Sequence, residues 1–438
     1  MEAGELASSR AAWLMLLAAG PLVGQAFAAS VGLYAEASGV APGRAALAQG
    51  LSPLEGIVVP TFGAYDLIAT LLYPFVAIHA IAAERRSGAD KLLLQSPAGI
   101  GRRLAVKLAA LTLYWTIAGI PGALALLSWG SYGGHLWAPE TANLVLGHFL
   151  RFFLATGVAF AAAAVTGGAA SAALVTLSFT LGTWALDFLA AGRGGFIERL
   201  GRATPSAALR VFERGELDAP AAAAFAVIGG AGVALAAVGL DRRLTVWARA
   251  SRGALVVLAA ALALAGASRL RASWDFSEDR RNSFSRADEA ALRSIREPVV
   301  IEVALAAEDP RLYDYERGVL ARLRRVLPDL TVIRTASSRG GLFEGPGYGE
   351  IWYSVGGRRG MLRSTTEPIV LEHLYRLARV APPPAPSESA YPGHPLAARP
   401  TGAVLLFDVA WPLAAGLAFA LRRGPWRNRC ARFEESSP

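Results

Sequence analysis

The stretch that decides the fold runs from Ile81 to Lys107 and reads IAAERRSGADKLLLQSPAGIGRRLAVK. Apolar segments lie on both sides of it, and it is the densest cluster of formal charge in the first half of the chain. Gly88 and Pro97 interrupt helical structure, because glycine relaxes the backbone and proline cannot continue a helix. Between them, leucines and polar residues segregate in a way that favours a short helix lying in the plane of a membrane surface. The stretch therefore predicts a loop between two membrane-spanning helices.

Composition places the whole chain in a membrane. Of its 438 residues, 54% are hydrophobic and only 18% are charged, and the mean hydropathy is +0.39. These values are typical of a membrane protein and exclude an ordinary soluble enzyme. The net charge of +9 comes almost wholly from arginines beside apolar segments. Orientation in the membrane explains those arginines, so no nucleic-acid partner is predicted.

Eight apolar segments are long enough to cross a bilayer, which needs about 20 apolar residues per helix. The first six form one block, whereas the last two lie on either side of a polar region. The segments cover residues 12–34, 57–83, 105–129, 143–166, 170–190, 219–240, 253–268 and 401–421.

Lysine and arginine in short loops predict the orientation, because they favour the cytoplasmic side. With eight spans, loops 84–107 and 241–252 and the basic tail fall on one side, so both termini are predicted to be cytoplasmic. Loop 131–142 has no lysine or arginine and is predicted outside. Loop 191–218 is an exception, since it carries five arginines on the predicted outer side.

Residues 269–398 carry charge throughout and predict an α/β domain rather than a membrane segment. The order of strand, helix and strand favours a βαβ unit. Residues 381–400 are rich in proline, alanine and serine and predict an extended linker. The expected strands cover 298–305, 330–335, 350–355 and 358–362, and the expected helices cover 310–327 and 367–380.

The first loop carries a family resemblance. A membrane helix, then E-R-R-x-G, then K-x-L-L-x-x-S-P, then a basic residue opening the next helix, resembles type-2 ABC transporter permeases. This chain has Ala89-Asp90-Lys91 where that family usually has Thr-Leu-Glu. The matching residues are Glu84, Arg85, Gly88, Lys91, Leu93, Leu94, Ser96, Pro97 and Lys107.

In that family, the segment is the cytoplasmic coupling segment that contacts the ATPase subunit. The resemblance therefore implies the same contact here. The charges alone are equally compatible with a loop that only anchors the orientation of the helices. The implied ATPase-coupling residues are Glu84, Arg85, Arg86, Gly88, Lys91, Leu93, Ser96 and Pro97.

The entry to the polar region carries a second resemblance. Trp274-Asp275-Phe276-Ser277, then Arg281-Asn282-Ser283-Phe284-Ser285, then Pro298-Val299, is similar to the start of the auxiliary subunit of gliding-motility-type ABC systems. There a membrane helix is followed by D-L-T-x-x-x-x-x-S-L-S and then K-x-P-V-x-I. The resemblance implies a permease fused to a shortened auxiliary subunit, because the further large domain of that subunit is missing here.

Searches for reactive chemistry find no catalytic constellation. No G-x-x-x-x-G-K-[ST] pattern occurs, so ATP and Mg²⁺ are assigned to a separate ATPase subunit, and this chain is predicted to be neither an enzyme nor bound to a cofactor. Ser283 and Ser285 are interpreted as helix caps. No metal site is predicted, since the histidines lack metal-ligand spacing. These histidines are His79, His135, His148, His373 and His394.

Ionisable residues inside membrane spans are functional candidates, because charge in the bilayer centre is costly. Asp66, His79 and Asp408 are the candidates, and Asp66 shares its helix with Tyr65 and Tyr73. An alternative is that Asp66 lies near the outer interface and is simply hydrated. Asp408 could pair with an arginine flanking another span.

The sequence thus predicts a polytopic α-helical membrane protein of about eight transmembrane helices, with one extracytoplasmic α/β domain between the last two. The expected function is that of the permease subunit of an ABC exporter in the bacterial inner membrane. The expected units are a permease domain (1–245), a seventh helix (246–268), the α/β domain (269–380), the linker (381–400), and an eighth helix with a basic tail (401–438).

The expected partners are an ABC ATPase, a second copy or a second permease subunit, and membrane lipid. The α/β domain at 269–380 could bind an envelope protein. The alternative function is a non-transporting scaffold that presents this domain to envelope partners.

Overall fold

The computed structural model describes residues 2–39, 50–87, 99–190, 196–270, 272–306, 309–335, 347–384 and 391–422. Among these residues, eight helical segments are long and apolar enough to span a membrane, which confirms a polytopic helical protein. The predicted spans all coincide with these segments, and most of the helices extend a few residues beyond the predicted limits.

The first half of the chain is almost entirely helical. A break at Gly119, followed by Pro121, divides the third span into two helical pieces. The helices are α1 (Glu2–Ser8), α2 (Arg10–Gly39), α3 (Val59–Ser87, preceded by a π-helical turn Leu54–Val58), α4 (Ile100–Ala118), α5 (Ile120–Ser131), α6 (Ala138–Val165), α7 (Ala169–Ala190), α8 (Phe196–Arg202) and α9 (Pro205–Glu213).

The second half contains two further spans, the α/β domain and the last span. The elements are β1 (Glu216–Asp218), α10 (Ala219–Leu240), α11 (Val246–Ala267), β2 (Ser273–Asp275), α12 (Arg286–Arg293), β3 (Val299–Val303), α13 (Pro310–Tyr315), α14 (Ala321–Val326), β4 (Leu330–Arg334), β5 (Ile351–Val355), β6 (Arg358–Leu362), α15 (Glu367–Ala378) and α16 (Trp411–Arg422, preceded by a π-helical turn Leu405–Ala410).

Small residues set the closest helix contacts. A Cβ added to Gly157 of α6 would lie 2.1 Å from the carbonyl oxygen of Gly229, and one added to Gly232 of α10 would lie 2.3 Å from the carbonyl carbon of Gly157. Since no side chain separates these backbones, α6 and α10 pack with their backbones in contact. These two helices, together with α2 and α3, form the centre of the bundle.

The last span packs against the first. Trp411 lies over Gly20 and Phe407 lies over Gly24, where added Cβ atoms would overlap the two aromatic rings. The indole Nε1 of Trp411 also donates to the carbonyl oxygen of Leu16 at 2.7 Å. The G-x-x-x-G spacing on α2 therefore forms a hollow for the aromatic side chains that open the eighth span.

The α/β domain is a four-stranded sheet in the order β4-β3-β5-β6. β3 and β4 are parallel and are joined through α13 and α14, as the predicted βαβ unit requires, and the other pairs are antiparallel. Alternate residues of β3 and β5 are buried against the helices. One of them is Tyr353, whose hydroxyl is hydrogen-bonded to the hydroxyl of Tyr315 at 2.7 Å. Ser285 caps α12, as expected, whereas Ser283 donates to Asp275 instead.

The domain is attached to one end of the helical bundle. β1, which precedes α10, pairs antiparallel with β2, which follows α11. The Arg281 guanidinium donates to Glu140 of α6 at 2.9 Å, and the exposed fractions of these side chains are only 12% and 3%. Loop 191–218 carries the arginines that are an exception to the charge rule on the predicted outer side. Its described part forms α8 and α9 at this same end of the bundle, where Arg334 of the domain contacts Glu198.

We predict that Gly232→Val lowers bundle stability by about 1–3 kcal/mol, because the added side chain forces α10 away from α6. Gly230→Val is the matched control, since a Cβ at Gly230 meets nothing within 4 Å on the same helix. Thermal unfolding of the detergent-solubilised chain measures both variants. Equal losses in the two variants would show that helix propensity, rather than close packing, determines the effect.

Candidate functional site

An ion pair lies inside the helical bundle between α3 and α6. Arg151 Nε is 2.7 Å from Asp66 Oδ1, and the side chains are 11% and 22% exposed. Arg151 also donates to Thr70 of α3 and to Ser206 of α9, each at 3.3 Å. The arginine therefore links three helices and neutralises the carboxylate of Asp66, one of the three candidates inside the predicted spans.

A small cavity adjoins this pair. Its volume is about 40 Å³, which is room for water-sized groups, and α3, α4, α6 and α7 contribute its walls. The hydroxyls of Tyr73 and Thr156 are hydrogen-bonded at 2.6 Å deeper in the bundle. The polar and aromatic lining includes Tyr65, Asp66, Thr70, Tyr73, Trp115, His148, Arg151, Phe152, Thr180 and Thr183.

His148 is the least compensated polar group of this cavity. Its side chain is 3% exposed, and its Nε2 atom has no hydrogen-bond partner among the described residues. Its ring packs 5.5 Å from the ring of Phe62. A buried imidazole next to a carboxylate and a guanidinium can accept or donate one proton or bind one polar group of a ligand. We call Asp66, His148 and Arg151, with Tyr65 and Tyr73, the intramembrane polar cluster.

Sequence reasoning found only part of this cluster. It identified Asp66 and the two tyrosines on α3, but it did not select Arg151 or His148 of α6. The signal was present, because Arg151 is a lone arginine inside the predicted span 143–166. The structure shows that Asp66 is paired with Arg151, while its side chain remains 22% exposed.

The other two intramembrane candidates lie elsewhere. His79 is on α3, between the polar cluster and the cytoplasmic loop predicted after it. Asp408 lies on the π-helical turn before α16 and accepts a hydrogen bond from Gln25 of α2 at 2.6 Å. Among the described residues, the partner of Asp408 is thus an amide, whereas an arginine was one of the predicted possibilities.

The predicted coupling residues lie at the limit of the described chain. Glu84, Arg85 and Arg86 form the last turn of α3, and their side chains are outside the described residues. Gly88, Lys91, Leu93, Ser96 and Pro97 also lie outside the described residues.

A basic groove of about 600 Å³ adjoins that end of α3. Its wall includes Arg103 and Lys107 of α4, Arg242, and Arg249 of α11, together with residues that join α6 to α7. Lys107 is buried and donates to the carbonyl oxygen of Ala80 at 2.7 Å. The two basic loops predicted to be cytoplasmic, 84–107 and 241–252, therefore both contribute residues to a groove at the end of the bundle opposite the α/β domain.

A second polar cluster lies at the end of the bundle that carries the domain. His135 Nε2 is 2.9 Å from Glu278 Oε1, and His394 Nε2 is 3.0 Å from Glu278 Oε2. The imidazole rings stack with centroids 3.8 Å apart. We call His135, Glu278 and His394 the outer triad.

Glu278 is held as a carboxylate. Burial alone would raise its pKa, but a hydrogen bond from Tyr391 and the positive charge that His394 and His135 can carry outweigh burial, so the pKa lies below its usual value. The ionised form is therefore favoured in the outer triad.

The spacing of the histidines along the chain gave no indication of the outer triad. His135 lies in the turn before α6, Glu278 at the entry of the α/β domain, and His394 in the linker. Glu278 is 143 positions from His135 and 116 positions from His394. Only the docking of the domain onto the helices brings them together.

No protein-family model, no curated protein and no solved structure matches this chain.

We predict that Arg151→Met lowers stability by about 3–5 kcal/mol, because it leaves the Asp66 carboxylate buried without a counter-charge. The double variant Asp66→Asn/Arg151→Met recovers most of the loss, since no charge then remains. Unfolding in detergent is the measurement, and Arg102→Met, at an exposed position of α4, is the control. A double variant as unstable as Arg151→Met would contradict the assigned ion pair.

Proposed function

We propose that this chain is the permease subunit of an ABC export system of the bacterial inner membrane. The observation that carries the proposal is the course of α3. This helix passes from Asp66 in the intramembrane polar cluster to Glu84 and Arg85, where the coupling motif begins. Eighteen residues separate Asp66 from Glu84, which is about 27 Å of helix. One helix thus joins the loop that resembles an ATPase contact to the polar interior of the bundle.

In the proposed mechanism, a separate ATPase subunit binds ATP and Mg²⁺ and contacts Glu84–Pro97. Closure of two ATPase subunits pushes this segment and moves α3. Pro74 lies inside α3, between the two sites, and lacks the N–H that an unbroken helix would use. A bend at Pro74 provides a place where movement of the cytoplasmic end changes the packing around Asp66 and Arg151.

The intramembrane polar cluster is the proposed element that responds to this movement. Arg151 joins α3, α6 and α9, so displacement of α3 alters an ion pair and two hydrogen bonds at once. Because packed helix interfaces tend to switch between discrete arrangements, we propose that the ion pair exchanges between two of them. His148 and the adjoining cavity supply polar contacts for a substrate group, and the substrate itself is not assigned.

The outer faces of the bundle fit contact with lipid and with a second permease subunit. Leu255, Leu258 and Leu262 of α11 are each more than half exposed. Apolar side chains of this kind are stable only against hydrocarbon or another apolar helix. Both termini are proposed to be cytoplasmic, with the α/β domain at 269–380 outside and able to receive an envelope protein.

A non-transporting scaffold is the second candidate function. The observation that favours it is the rigid attachment of the domain through the β1–β2 pair and the buried Arg281–Glu140 ion pair. Such an attachment suits presentation of a surface to partners. A scaffold needs no ATPase, so co-purification of an ATPase distinguishes the two functions.

We predict that Glu84→Ala/Arg85→Ala abolishes binding of the partner ATPase while membrane insertion stays normal. The physical reason is loss of the charged turn that the ATPase would contact. A pull-down of the detergent-solubilised chain, followed by mass spectrometry and an ATPase assay, measures the effect.

Arg252→Ala is the matched control, because it removes an exposed positive charge predicted on the same side of the membrane without touching the motif. Unchanged ATPase recovery with the double variant would overturn the coupling role of Glu84 and Arg85. Absence of any ATPase from the unmodified chain, with envelope proteins retained by residues 269–398, would establish the scaffold instead.

A further inference from the structure

We propose that the outer triad, His135, Glu278 and His394, binds a divalent first-row transition-metal ion of the Zn²⁺ type. The proposal is independent of the transport function, because it rests only on residues at the end of the bundle that carries the α/β domain. Two imidazole nitrogens and one carboxylate form a common ligand set for zinc. The ion would connect the turn before α6, the entry of the α/β domain and the linker that returns to the membrane.

The geometry of the ligand atoms fits one ion. All three ligand atoms lie within 4.8 Å of one another. A tetrahedral ion at about 2.0–2.2 Å from each ligand places ligands about 3.4 Å apart. The nitrogen–oxygen distances of 2.9 and 3.0 Å run to the two different oxygens of Glu278, so the carboxylate would bind an ion through both oxygens or turn to present one. Rotation of His135 and His394, which are 39% and 31% exposed, would open the stack of the two rings and turn both nitrogens toward one ion.

The backbone of each ligand is held by other groups. Trp129 Nε1 donates to the carbonyl oxygen of His135 at 3.0 Å. The backbone N–H of Glu278 donates to Glu140 at 3.2 Å. His394 accepts from the Tyr34 hydroxyl at 2.8 Å. Because none of these contacts uses a ligand atom, the site is positioned before a metal arrives, which lowers the entropic cost of binding.

Proton positions and charge also favour a cation. Without metal, both imidazoles must carry a proton on Nε2 to donate to the two oxygens of Glu278. A divalent ion instead takes both nitrogens as neutral donors and offsets the carboxylate charge. The nearby guanidinium of Arg281 does not take the place of the ion beside Glu278, because it is paired with Glu140.

A further group orients the carboxylate. The Tyr391 hydroxyl donates to Glu278 Oε2 at 3.0 Å and so fixes the plane of the carboxylate from the linker side. Groups that orient ligands in this way support both affinity and selectivity. The two nitrogen ligands disfavour Mg²⁺ and Ca²⁺, which prefer all-oxygen sites. A tetrahedral ion held by three protein ligands would have a fourth position for a water molecule.

The test is a Zn²⁺ titration of the full-length chain in detergent, purified with a histidine-free tag and treated with a chelator. A chromophoric zinc chelator serves as the competitor. We expect one Zn²⁺ per chain and an increase in Tm on binding, because a ligand that binds only the folded state stabilises it. His135→Ala, His394→Ala and Glu278→Gln should each weaken affinity at least tenfold. X-ray absorption of the zinc complex should show nitrogen and oxygen ligands.

Two control variants remove a histidine or a carboxylate from the α/β domain, away from the outer triad. His373→Gln alters a histidine on α15, and Glu302→Gln alters a carboxylate on β3 that pairs with Arg359 at 2.7 Å. Both should bind Zn²⁺ like the unmodified chain. His394→Gln, which retains hydrogen bonding to Glu278, serves if an alanine variant fails to fold. Absence of stoichiometric Zn²⁺ binding, unchanged affinity in the triad variants, or displacement by equal Mg²⁺ would overturn the proposal.

Discussion

The absence of water from the bilayer interior is the constraint on which this structure depends. A carboxylate or a guanidinium placed there must find its partner within the protein, because hydration is not available to compensate it. Asp66 and Arg151 satisfy that requirement together, and Thr70 and Ser206 satisfy two remaining donors of the arginine. The positions of α3, α6 and α9 are therefore coupled by electrostatics as well as by packing.

Close packing of helix backbones also stabilises the bundle in lipid. In lipid, helices gain little from hiding apolar side chains, so contact between backbones matters more. Gly157, Gly229 and Gly232 permit that contact between α6 and α10. The ion pair then lies beside the tightest helix pair of the bundle, where small displacements are resisted. The polar cluster is therefore held by helix packing as well as by the ion pair.

Local patterns predicted much of the fold, and long-range pairing explains what they missed. The eight spans followed from apolar length, and β5 and β6 were predicted as the neighbouring strands 350–355 and 358–362, since these signals lie within a few residues of each other. The partnership of Asp66 with Arg151 joins positions 85 apart, and no local rule relates them. His135, Glu278 and His394 belong to three segments whose meeting depends on how a domain docks. The segment carrying the coupling motif lies mainly outside the described residues, so its role stays a prediction.

The contact between the first and last spans has a consequence for how the protein is made. The hollows at Gly20 and Gly24 are shaped for Trp411 and Phe407, which leave the ribosome almost 400 residues later. Throughout that interval, the first helix must remain in the bilayer with lipid in place of its final neighbour. Assembly therefore ends with a displacement of lipid from α2, after the α/β domain has already been synthesised. The order of biosynthesis makes the eighth helix the closing element of the bundle.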